Sequence, residues 1–140
     1  MRRTVFISAV MLGFTSVAAA QQHQSGIKLG DVAGVWDSKT LMGANDSVVA
    51  TTVLTATGDG QGWTMTFADR EPVAVRVVSM GGDSIVTETG PYASILRAGQ
   101  QVTLLRMIAH YTGDQMSGTF SAEYASGDRI AGKVTATRRK

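Results

Sequence analysis

The 140-residue chain has no cysteine, two prolines, two histidines and few aromatic side chains (6%). Without cysteine there is no disulfide, no thiolate metal ligand and no lipidated cysteine to tether the chain to a membrane. The two histidines, His23 and His110, are isolated and cannot supply the three or four converging ligands of a zinc site. No metal site and no cofactor is therefore expected. An excess of one charge is missing as well. There are 13 Lys+Arg against 11 Asp+Glu, and setting aside Arg2 and Arg3, which lie in a segment expected to be removed, leaves 11 against 11. Such a surface has no means of neutralising many phosphates, so no nucleic-acid partner is expected.

Residues 1–20 run from basic Arg2 and Arg3 through an apolar stretch, Val5 to Val17, to Ala18-Ala19-Ala20. That order is the layout of a secretory signal peptide, and the apolar run is shorter than the ~20 residues that span a bilayer. No other apolar segment approaches that length, so no integral membrane association is expected. The sequence predicts an exported, soluble protein, periplasmic or extracellular, with a signal peptide at 1–20, a polar leader at 21–30 and one domain at 31–140. With no disulfide, that domain depends on its core alone.

Turn-forming clusters recur along the chain, among them Gly43-Ala44-Asn45-Asp46, Gly58 to Gly62, Gly81-Gly82-Asp83, Gly113-Asp114 and Ser126-Gly127-Asp128. The stretches between them are rich in Val, Thr, Ile and aromatics with a period of two. They predict eight strands, at 34–42, 47–57, 62–68, 73–80, 84–90, 101–111, 115–125 and 129–138. The long connection 90–100 is expected to carry a turn of helix near Ser94 to Arg97.

Hairpin register follows from requiring apolar residues of paired strands to share a face. Pairing 101–111 with 115–125 in this way puts Val102, Leu104, Arg106, Ile108 and His110 inside with Met116, Phe120 and Tyr124. The first three strands place Trp36, Val53, Trp63, Met65 and Phe67 together, with Ser38, Thr40, Thr51 and Thr55. In the next hairpin Val75 and Val77 accompany Thr87 and Thr89, while Arg76 meets Glu88 outside. An antiparallel meander of eight strands with one apolar face closes most economically as an up-and-down barrel, because closure removes exposed edges. A two-sheet sandwich is the alternative. In the barrel the last strand lies beside the first, bringing Arg138 over Trp36 with His110 at the same closed end.

Gly34-Val35-Trp36 opening the first strand, with Arg138 ending the last, resembles the structural signature of the lipocalin and calycin superfamily. The stretches Met116 to Phe120 and Gly132 to Arg138 are similar to small exported bacterial barrels of lipocalin-like type. The resemblance implies a closed end plugged by the tryptophan and an open end that admits a small ligand.

No nucleophile, base and acid come together in the sequence, so no catalytic residue is assigned. Asp59, Asp83, Asp114 and Asp128 sit in turns beside glycine, where a short polar side chain serves backbone geometry. A ligand site would be formed by Arg106, Tyr124, Tyr92, Phe67, Thr40 and Thr89, with Trp36, Arg138 and His110 as the structural closed end. Interior hydroxyls together with a buried guanidinium predict a partly hydrated cavity for a small amphiphilic molecule with an acidic group near Arg106. The competing reading is a solid barrel whose surface binds an envelope or extracellular protein, whose identity the sequence leaves unknown. A third is a small hydrolase or isomerase. An interior filled by side chains, or an Arg106 turned to solvent, favours the surface reading.

Overall fold

The computed structural model describes residues 26–140. The signal-peptide segment 1–20, the first half of the leader and His23 lie outside the described residues.

After a short helix, α1 (Leu29–Val32), the chain forms β1 (Gly34–Met42), β2 (Ser47–Ala56), β3 (Thr64–Phe67), β4 (Val73–Gly81) and β5 (Ser84–Thr89). The two-residue β6 (Tyr92–Ala93) precedes β7 (Gln101–Tyr111), β8 (Gln115–Tyr124) and β9 (Arg129–Arg138). The eight longer strands form an antiparallel meander that closes where β5 pairs with β7 and β1 with β9. The fold is a closed eight-stranded up-and-down barrel, not a sandwich. Each long strand begins and ends within two residues of its sequence-predicted range.

Turn chemistry and alternation explain the agreement. Gly43, Gly82, Gly113 and Gly127 take positive φ in hairpin turns, where a side chain would strain the backbone. Gly118 and Gly132 matter for a different reason. A Cβ at Gly118 would lie 1.8 Å from the Ile108 carbonyl oxygen, and one at Gly132 would lie 2.3 Å from that of Leu41. These two inward positions let neighbouring strands approach at barrel corners.

Two faces differ from those read in the sequence, each because of a single-residue bulge. In β1–β2 the register passes from Leu41↔Val48 to Thr40↔Ala50, so Val49 is extra. Counting back from the turn without it puts Val53 beside Trp36. The observed partner of Trp36 is Leu54, and Thr52, Leu54 and Ala56 face inward in place of Thr51, Val53 and Thr55. In β7–β8 the register passes from Val102↔Tyr124 to Leu104↔Glu123, so Thr103 is extra. Val102 is inside as expected, but beyond the bulge Leu105, Met107 and Ala109 face inward. Leu104, Arg106, Ile108 and His110 are thus on the outer alternation, which corrects their assignment to the interior.

The connection 90–100 also differs from expectation. It contains β6 and a turn in place of a helical turn, with Ser94 Oγ accepting from the backbone N–H groups of Leu96 and Arg97, each at 3.1 Å. This local capping satisfies the amides that a helix start would leave free.

Candidate functional site

The closed end is built by the N-terminal segment. Ile27 and Leu29, in the stretch read as leader, pack against the core, and Val32 is fully buried. Trp36 is fully buried too, and its indole N–H donates to the Val32 carbonyl at 2.9 Å. Arg138, opposite Trp36 in the β1–β9 register, stacks over the indole at 4.4 Å. Its guanidinium donates to the carbonyls of Ala33 (2.5 Å), Asp31 (2.6 Å) and Gly113 (3.3 Å), and to the Tyr111 hydroxyl at 3.2 Å. One side chain therefore ties the plug to the β7–β8 turn while covering the tryptophan. Tyr111 occupies the inner position expected for His110 and meets Trp36 edge-on at 6.1 Å.

His110 is at this end but outside the wall. Its Nδ1 lies 3.0 Å from Ser84 Oγ and 3.3 Å from Asp83 Oδ1. The residue types suggest a catalytic triad, but both partners share one ring nitrogen, and a relay needs the hydroxyl and the carboxylate on opposite nitrogens. The hydrogen bond from His110 holds the Asp83 carboxyl below its ordinary range. No group of three or more metal-ligating side chains occurs among the described residues.

The opposite end is covered by the 90–100 connection. Ser94 is buried, with its Oγ 3.0 Å from the Tyr124 hydroxyl, and Arg97 lies 4.6 Å over the Tyr124 ring and 3.0 Å from Asp128. From the β3–β4 turn, Arg70 donates to the carbonyls of Ala93 (2.5 Å) and Ser94 (3.3 Å). Phe67 packs on Tyr92 with ring centres 5.2 Å apart, and burial pushes the Tyr92 phenol up to about 12. The segment is thus a lid fastened by polar contacts at several points.

Beneath the lid, Thr40, Phe67, Tyr92 and Tyr124 come together as the sequence predicts, lining a void of about 40 Å3. A second void of about 40 Å3 lies deeper, between Trp63, Ile85, Met107 and Met116. Each has room for a few waters at about 10–15 Å3 apiece, whereas small-molecule sites measure about 300–1,000 Å3. Neither void is lined by a charged side chain. Thr89 faces inward but lines neither, and its fully buried hydroxyl has no hydrogen-bond partner among the described residues. Arg106 is outside, with its guanidinium 3.4 Å from Glu88 and its side chain 48% exposed. The anionic site built around an inward Arg106 is therefore withdrawn. Arg76 and Glu88 do occupy paired positions, but Arg76 donates to the Gly90 carbonyl at 3.2 Å and leaves Glu88 to Arg106.

A wide concavity on the outer wall lies where the sequence reading placed no candidate site. A groove of about 690 Å3 runs across the β1–β2 face to the turn after β3, lined by Asp37, Lys39, Thr51, Val53, Thr66 and Asp69 to Glu71, among others. Its origin lies in strand lengths. β3 has four residues beside the ten of β2, so the wall stops short and the turn after it overhangs its neighbour. The signal available in the sequence was the short interval between the turn clusters at Gly62 and Asp69.

No protein-family model matches the chain, and neither the curated proteins nor the solved structures contain a match to it.

Proposed function

We propose that this chain is a non-enzymatic, exported barrel of the calycin type that works from its outer wall as a protein-interaction module. The observation that carries the reading is the distribution of space: about 40 Å3 in each interior void against about 690 Å3 in the outer groove. The Gly34-Val35-Trp36 segment with Arg138 stacked on the indole supports the calycin comparison. The signal-peptide layout of residues 1–20 supports export. Among the described residues no relay of nucleophile, base and acid supports an enzymatic reading.

Native mass spectrometry of the protein purified from its own periplasm or medium provides the test. The expected result is the bare polypeptide mass, together with site-specific cross-links to a second polypeptide from probes at Lys39 and Thr51 but not at Thr119 on the far wall. A small molecule retained by the wild type and lost on Phe67→Ala overturns the proposal.

That outcome would favour a second reading, for which the polar fastening of the lid is the specific observation. In that reading a ligand displaces the lid and meets hydroxyls but no charge, so it is uncharged. Binding of a neutral naphthylamine dye, strengthened by Tyr124→Phe, would support it over the outer-wall reading. Preference for an anionic dye would count against it.

A further inference from the structure

A zinc site draws its protein ligands from side chains, and two isolated histidines with no cysteine cannot supply them. Nor do three His, Cys, Asp or Glu side chains come together among the described residues. The expectation of no metal rests on these side-chain counts, which leave out backbone nitrogen. A free α-amine and the amide nitrogens that follow it are ligands in their own right, and one histidine completes the set if its place in the chain is right.

Export creates that place. The signal-peptide layout ends at Ala18-Ala19-Ala20, and cleavage after Ala20 leaves a chain beginning Gln21-Gln22-His23. Its α-amine, the amide nitrogens of Gln22 and His23, and the imidazole Nδ1 of His23 are then four nitrogens in series. Closing them on one ion makes two five-membered chelate rings and one six-membered ring, which together fit a square plane. A histidine one place earlier leaves only three nitrogens, and one place later it is separated from the plane by an extra amide. Proline, which lacks the amide proton, would also break the set, but both prolines, Pro72 and Pro91, are elsewhere.

Square-planar nitrogen coordination selects divalent copper or nickel over zinc, calcium or magnesium. The α-ammonium and both amides release their protons to solvent as the metal enters. The two amide anions offset the charge of the ion, so no carboxylate is needed.

We propose that the mature chain holds one divalent copper ion at Gln21 to His23, in a site made by cleavage of the signal peptide. The proposal rests on the export part of the proposed function and not on the outer groove. In the precursor the α-amine belongs to Met1, and the site does not exist. The barrel fixes where the ion sits. Ile27 donates its N–H to the Gly82 carbonyl at 2.8 Å, on the β4–β5 turn at the closed end. Four residues reach at most about 14 Å, so an ion at His23 stays on the side of that end.

Export of the full precursor without added copper, followed by a chelator wash, supplies the protein for the test. Intact mass should give a chain beginning at Gln21 with a free amine. Titration with copper(II) chloride in excess glycine should load one ion per chain, with hyperfine structure from four nitrogens in its electron paramagnetic resonance spectrum. His23→Ala should lose that signal. So should an alanine inserted between Gln22 and His23, which keeps the histidine but moves it to fourth place. His110→Ala should keep the signal. In nuclear magnetic resonance spectra the bound ion should broaden Ile27 and Gly82 and spare Tyr92 and Ser94.

A mature chain that starts at another residue overturns the cleavage position and this proposal together. Two results overturn the proposal and leave export standing. One is a Gln21 whose amine has closed on its own side-chain amide with loss of ammonia. The other is a free amine at Gln21 that gives no four-nitrogen spectrum. A signal indifferent to the insertion and lost in His110→Ala puts the metal on the wall beside Asp83, and overturns the proposal as well.

Discussion

Arg138 shows how much one residue can contribute when its environment is assembled from distant parts of the chain. It covers Trp36, reaches two carbonyls of the plug and contacts both Tyr111 and the β7–β8 turn. Arg138→Ala removes the stacking and leaves the part-buried Ala33 carbonyl and Tyr111 hydroxyl without this donor, so unfolding in urea should show a loss of roughly 1–3 kcal/mol. Thr89 is the opposite case, since its hydroxyl is fully buried with no partner among the described residues and incurs desolvation with no compensating bond from them. Thr89→Val keeps the shape and removes the polar atom. It should raise stability by about 1 kcal/mol in the same assay, and a loss of that size would mean that the hydroxyl is bonded.

At the scale of the element, the bulges decide which side of a strand the protein uses. Before Thr103, β7 turns Val102 inward; after it, the inward residues are Leu105, Met107 and Ala109. Deleting Thr103 would leave Leu104 alone between Val102 and Leu105, which restores uniform alternation with Val102, Leu105 and Met107 still inside and Arg106 still outside. Because every inward side chain is kept, the deletion variant should give a cooperative thermal transition, followed by circular dichroism, close to that of the wild type. Thr103→Ala, which keeps the residue count, should fold as well. A deletion variant that does not fold would show that Thr103 is not a surplus residue in the β7–β8 ladder.

For the whole molecule, the lid couples stability to alkaline pH through Tyr92. Its phenol titrates near 10 when unfolded and is raised to about 12 by burial in the folded barrel. Below pH 10 it is neutral in both states and its contribution is complete. Between pH 10 and about 12 the unfolded chain releases the proton first, so the contribution falls as pH rises and is lost through the folded value. Urea midpoints measured across this range should therefore decline less steeply for Tyr92→Phe than for the wild type. Identical slopes would show that the ring is not held in its buried position under the lid.

The amino-acid sequence by itself determined the eight long strands and, within two residues, their ends, the barrel they close into and the pairing of Trp36 with Arg138, but not the two-residue β6. Turn residues and period-two patterning act locally, and a meander brings its last strand back to its first whatever the details within. It also contained Thr40, Phe67, Tyr92 and Tyr124 as neighbours under the lid, since all four lie at strand ends facing one mouth. Only the tertiary structure decided that Arg106 and His110 are outside, because one extra residue in a ladder reverses every side chain beyond it. Such a residue is invisible where both faces of a strand contain apolar groups, as Leu104 and Leu105 do. The groove likewise arises from the difference in length between β2 and β3, which belongs to neither strand alone. Local chemistry sets where strands begin and turn, whereas face, cavity and surface relief follow from how those strands register against one another.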